Sequence, residues 1–86
     1  MKPDAARVRE LLAEYIRREL IGNPQGPRPM DDDDLLGGGV IDSLGVMSLV
    51  YFVEQEFGFP VPAEDVTIEH FLSVATLTRY VSDRLS

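Results

Sequence analysis

"DSLGVMSLVYFVEQEFG", residues Asp42–Gly58, is the stretch whose reading decides the fold. Asp and Ser open helices because their side-chain oxygens accept a free first-turn N–H. Gly58 suits a left-handed C-terminal cap, and Pro60 lies just beyond it. The spacing predicts a helix over Ser43–Phe57. On a wheel of about 100° per residue, Val46, Leu49, Val50, Val53 and Phe57 share one arc and make a core face. Leu44, Met47 and Tyr51 fall together elsewhere. One buried face is enough for a surface helix, so this second stripe either meets another part of the fold or is an exposed contact surface.

Upstream, Val8, Leu11, Leu12, Tyr15, Ile16 and Leu20 recur at helical spacing between charged residues. They predict an amphipathic helix of about five turns, with Pro3 in its first turn and Gly22 at its end. Between the two helices, residues 22–42 carry three prolines and five glycines, which exclude a regular element. Leu35, Leu36, Val40 and Ile41 are expected to pin the second half of this loop to the core. The first half, Asn23–Pro29, has no such anchors and is expected to be mobile. Downstream, Thr67 predicts the cap of a short helix through about Phe71. Ser73 predicts the cap of a last helix that buries Val74, Leu77, Val81 and Leu85. The expectation is an all-α four-helix bundle: three longer helices, one short helix and a long loop between the first two, in one domain over residues 1–86.

The net charge of −7 is uneven. Residues 1–30 hold six basic against four acidic side chains, and residues 31–86 hold two against eleven. Such a surface repels nucleic-acid phosphates and anionic lipid and attracts basic partners. No apolar stretch approaches the roughly 20 residues of a membrane helix. No signal peptide is visible, and the expected location is cytoplasmic. The absence of cysteine excludes disulfides and thiolate metal sites.

Four chemistries compete for the centre of the chain. A catalytic Ser43 needs a nearby base, and the single histidine, His70, sits in the short helix as a surface or boundary residue. The strained G-x-S-x-G turn also fails, because Ile41 stands where glycine is required. The four aspartates from Asp31 to Asp34 do not make a calcium loop: counting from Asp31, Leu36 is sixth and Asp42 twelfth. The glycines from Gly37 do not complete a nucleotide motif either. There remains a serine at a helix N-terminus, where free N–H groups and the helix dipole tolerate a phosphodiester.

"DDLLGGGVIDSLG", Asp33–Gly45, resembles the attachment motif of the acyl carrier and peptidyl carrier protein family, in which an Asp-Leu pair and a glycine precede Asp-Ser-Leu or Asp-Ser-Met. The order of helices and the long loop also resemble that family over almost the whole chain. The resemblance implies that Ser43 carries 4′-phosphopantetheine, transferred from coenzyme A by a phosphopantetheinyl transferase with magnesium at the transferase's own site. The arm's thiol would hold acyl groups as thioesters, and the chain itself would catalyse nothing. Acyl-loading and acyl-processing enzymes with basic surfaces would dock in turn on a monomer. Carried over, their grip implicates Asp42 and Leu44, the Met47 and Tyr51 stripe, and Glu54 and Glu56 further along.

The fatty-acid members place acids two and five residues after the serine, where this chain has Gly45 and Ser48. Docking is therefore expected to rest on Leu44, Met47 and Tyr51. Val40–Gly45 looks more like the D-alanyl and aminoacyl carriers, and like stand-alone carriers of unusual polyketide extender units. A discrete carrier of specialised biosynthesis is the expectation. The alternatives are an unmodified helical adaptor and a housekeeping fatty-acid carrier.

Overall fold

The computed structural model describes residues 3–22, 25–27, 29–37 and 41–85. Among them all regular structure is helical. Helix α1 spans Ala5–Tyr15 and continues as a π-helical turn, Ile16–Ile21; α2 is Ser43–Phe57, α3 is Ile68–Phe71 and α4 is Val74–Leu85. The radius of gyration, 11.8 Å, is that of one compact domain of this length. The molecule is a small helical bundle with its long connection between α1 and α2.

Local chemistry sets the helix ends. The Asp4 side chain accepts the Arg7 N–H and starts α1, so Pro3 lies ahead of the cap and not in the first turn where it was expected. The Thr67 side chain accepts the His70 N–H at 3.3 Å and starts α3. At α4, Ser73 Oγ accepts the Thr76 N–H (3.2 Å) while Thr76 Oγ1 accepts the Ser73 N–H (3.1 Å), a reciprocal cap that satisfies two free donors at once. Gly58 ends α2 in the left-handed region (φ 76°), which costs a residue without Cβ little.

The core is a layer of aliphatic side chains with α4 at its centre. Val8, Leu12 and Ile16 of α1, Leu49 and Val53 of α2, Phe71 of α3 and Val74, Leu77 and Val81 of α4 are essentially inaccessible to solvent. α1 packs chiefly along α4, α3 leads directly into it, and α2 rests against it. Tyr15 ties α1 to α2: its ring stacks on Phe52 (centroids 4.1 Å apart) and its hydroxyl donates to the Ser48 carbonyl at 3.3 Å.

The loop is anchored as expected where it is described. Leu35 is fully buried, Ile41 nearly so, and Leu36 half-buried. The Leu35 N–H donates to the Leu72 carbonyl (2.8 Å) and its carbonyl accepts the Ile41 N–H (3.0 Å). Val40, and Asn23, Pro24 and Arg28 of the expected mobile half, lie outside the described residues.

Two features have no counterpart in the sequence expectations. A 3₁₀ turn, Ala63–Asp65, precedes α3. A polar latch then fastens it to α4: Tyr80 Oη donates to Asp65 Oδ2 at 2.6 Å, Arg84 reaches the same oxygen at 3.5 Å, and His70 Nδ1 donates to the Asp65 carbonyl at 2.8 Å. The Tyr80 phenol is pushed up to about 12, first by burial and then by its hydrogen bond to the Asp65 carboxylate. The folded state therefore binds the phenolic proton more tightly than the unfolded chain, with its ordinary value near 10. The resulting stability is complete below pH 10 and is lost as the pH rises from 10 towards 12. Urea midpoints of wild type should fall over that interval more steeply than those of Tyr80→Phe. At neutral pH, Tyr80→Phe should cost about 1 kcal/mol for the lost hydrogen bond. Parallel pH profiles for the two proteins would remove the phenol from this account.

Candidate functional site

The first turn of α2 separates two duties that the sequence left combined. Asp42 is the cap: its backbone is extended (φ −99°, ψ −172°) and its Oδ1 accepts the Gly45 N–H at 2.8 Å. Its carbonyl accepts the Val46 N–H at 2.9 Å. Ser43 is the first helical residue and is exposed. No described residue hydrogen-bonds its hydroxyl. The helix start thus holds without Ser43, whose side chain is open to solvent. The N–H groups of Ser43 and Leu44 lie ahead of the first intrahelical acceptor, as in any α-helix, and suit an anionic oxygen bonded to Ser43.

Gly45 makes this turn possible. It is buried, and a Cβ there would lie 2.8 Å from Ile41 Cγ2 and 3.4 Å from Asp42 Oδ1. Ile41 is itself buried and branched at Cβ, so it has little room to yield. Gly45→Ala is expected to lower stability by about 1–2 kcal/mol, because the overpacking outweighs the gain in helix propensity. A urea midpoint at or above wild type would show that Ile41 does yield.

Around Ser43 the second stripe of α2 faces solvent. Leu44 is 78% exposed, Met47 61% and Tyr51 65%. The alternative left open above, that this stripe meets another part of the fold, is thereby closed. Ile68, at the start of α3, is 71% exposed and Leu72 is also exposed. Sequence reasoning missed this pair; an apolar residue opening the short helix and another just past its end were the available signal. Of the acids assigned to partners, Glu56 is exposed. Glu54 is half-buried, and its Oε2 accepts the Val61 N–H at 2.9 Å, so it holds the segment after α2.

Beside the turn lies an open groove of about 290 Å³ between the π-helical end of α1 and α2. Glu19 and Leu20 of the π turn form one wall, and Asp42, Leu44, Gly45 and Ser48, at the start of α2, line the other. The π turn, closed by the Gly22 N–H donating to the Arg17 carbonyl at 3.1 Å, shapes the first wall.

His70 is held by the Asp65 carbonyl and packs beside Tyr80 (centroids 4.5 Å apart). No group of three or more His, Cys, Asp or Glu side chains able to hold a metal occurs among the described residues. No described helix is long and apolar enough to cross a membrane.

No family model matches this chain, and no curated protein does. Among solved structures, a chain described as "Crystal structure of FAD-dependent dehydrogenase" is similar to it, with a TM-score of 0.70 and 27% identity over 80% of this chain and 96% of the matched one.

Proposed function

We propose that this chain is a discrete acyl carrier whose Ser43 bears a 4′-phosphopantetheine arm. The observation that carries the reading is the division of labour at α2: Asp42 supplies the cap, so the Ser43 hydroxyl is exposed and free of partners among the described residues. In the transfer, Ser43 Oγ attacks the phosphorus that bears pantetheine in coenzyme A. The pyrophosphate P–O bond breaks, 3′,5′-ADP leaves, and the hydroxyl proton passes to a base of the transferase. The thiol at the end of the arm then takes acyl groups as thioesters, which supplies a nucleophile that a cysteine-free chain lacks.

The partners are the phosphopantetheinyl transferase and acyl-loading and acyl-processing enzymes with basic docking surfaces. The carrier works as a cytoplasmic monomer, in polyketide, nonribosomal peptide or related specialised biosynthesis. The flavin chemistry in the description of the similar structure is said of that protein and is not part of this reading. That matched chain is itself shorter than 86 residues, since 80% of this one spans 96% of it.

Intact mass after incubation with coenzyme A, magnesium and a broad-specificity transferase is the test. The wild-type chain should gain one phosphopantetheine. No gain, with a known carrier modified in parallel, would favour the unmodified adaptor, whose permanent partner would cover the exposed 44/47/51 stripe. The same stripe leads to a second expectation: Met47→Ala or Tyr51→Ala should slow transfer to a partner enzyme more than Glu56→Ala does. Equal or reversed transfer rates would return the docking role to charge.

A further inference from the structure

On the carrier reading, we infer that Ile41 is a positioning residue for the transfer to Ser43: by lying against Gly45 it fixes where the Ser43 oxygen stands when the transferase presents coenzyme A. The opening turns of α2 need such a support. Of residues 43–48 only Gly45 is buried; Val46 is half-buried, and Ser43, Leu44, Met47 and Ser48 are exposed. The Asp42 cap shapes the first turn from within, but its two hydrogen bonds end on α2 itself, at the Gly45 and Val46 N–H groups. They do not hold the turn to the bundle.

Ile41 does. It is buried, and its N–H donates to the carbonyl of the buried Leu35 at 3.0 Å. Leu35 is held in turn by the Leu72 carbonyl at 2.8 Å, just ahead of α4. Towards α2, Ile41 Cγ2 lies so near Gly45 that a Cβ there would meet it at 2.8 Å. Branching at Cβ places that methyl through a single stiff torsion. One methyl group on a well-anchored residue thus backs the turn that carries Ser43. Tyr15 gives a second tie, to the Ser48 carbonyl at 3.3 Å, but more than a turn beyond the serine.

The transfer needs Ser43 Oγ in line with the phosphorus of bound coenzyme A, and a misplacement of about 1 Å can cost about a hundredfold in rate. A residue that sets this placement acts on the chemical step. Met47 and Tyr51 stand further along α2, which Leu49, Val50 and Val53 hold in the core, so a shifted first turn leaves recognition of the chain largely intact.

Single-turnover transfer tests this, with the full chain, coenzyme A, magnesium and excess transferase, read as a maximal rate and a half-saturating transferase concentration. Ile41→Val shortens the side chain but keeps the Cγ2 methyl, and should hold the maximal rate within about twofold of wild type. Ile41→Leu keeps the volume but loses that methyl, and should lower the maximal rate about tenfold with half-saturation within about twofold. Gly45→Ala should lower it as much, by pushing the turn away from Ile41. Ile41→Leu and Gly45→Ala together should recover to within about threefold of wild type, because the new Cβ takes the space of the lost methyl. Valine and leucine are both tolerated in place of a buried isoleucine, so the comparison is made between folded chains. A role in stability alone gives valine no advantage over leucine and gives no recovery in the double variant. Equal maximal rates for Ile41→Val and Ile41→Leu, on a wild-type chain that is modified, overturn the positioning proposal alone. A wild-type chain that takes up no arm overturns the carrier reading, and the positioning proposal with it.

Discussion

Ser43→Ala should take up no phosphopantetheine under conditions that modify every wild-type molecule, and it should do so without unfolding. The two halves of this result have separate causes. Loss of modification follows from loss of the only atom that can be esterified at the start of α2. Retention of the fold follows from the cap: Asp42, not Ser43, accepts the Gly45 N–H, and the exposed serine makes no hydrogen bond among the described residues. Substitution at an exposed site of this kind stays within about 0.5 kcal/mol. Asp42→Ala should behave in the opposite way, retaining the hydroxyl but losing about 1 kcal/mol with the cap. Intact mass and urea midpoints of both variants separate the roles. An arm found on Ser43→Ala would move the attachment to another serine and dismiss the present reading of α2.

Leu35→Ala should cost about 2–5 kcal/mol, a large part of the stability of so small a domain. Leu35 lies outside every helix, yet its side chain is wholly enclosed. Its main chain also links two distant parts of the fold, donating to the Leu72 carbonyl and accepting from the Ile41 N–H. Truncation leaves a cavity in the core and slackens the segment that delivers Ile41 and Asp42 to α2. Met30, in the same loop and 71% exposed, is the comparison. Met30→Ala should stay within about 0.5 kcal/mol of wild type. Urea denaturation reads both values, and amide exchange should show faster opening around Ile41 in Leu35→Ala alone. Similar midpoints for the two variants would mean that the loop does not brace the bundle.

Much of the architecture could be read from neighbouring residues. The bounds of α2, Ser43–Phe57, and its stop at Gly58 match the expectation to the residue, because a cap, an apolar stripe and a left-handed glycine are all local devices. The same holds for Thr67 before α3 and Ser73 before α4. The end of the first helix was placed correctly, but its winding was not. Nothing in Ile16–Ile21 distinguishes a π turn from an α turn without the packing around it. His70 was expected as a plain surface or boundary residue; it is half-buried, and its tie to the Asp65 carbonyl depends on a 3₁₀ turn five residues away.

For the candidate site, the residues in order dictated that a serine would stand at the mouth of a helix, beside an aspartate and ahead of two apolar stripes. Hydrogen bonds within a turn and a repeat of 3.6 residues involve only near neighbours, so a string of letters is enough to specify them. Whether Leu44, Met47 and Tyr51 face water, whether Glu54 serves a partner or the Val61 N–H, and whether Glu19 lines a groove with Asp42 all depended on how α1, α2 and α4 came together. Those contacts join residues far apart in the chain, and their geometry comes from the mutual packing of side chains rather than from any one segment.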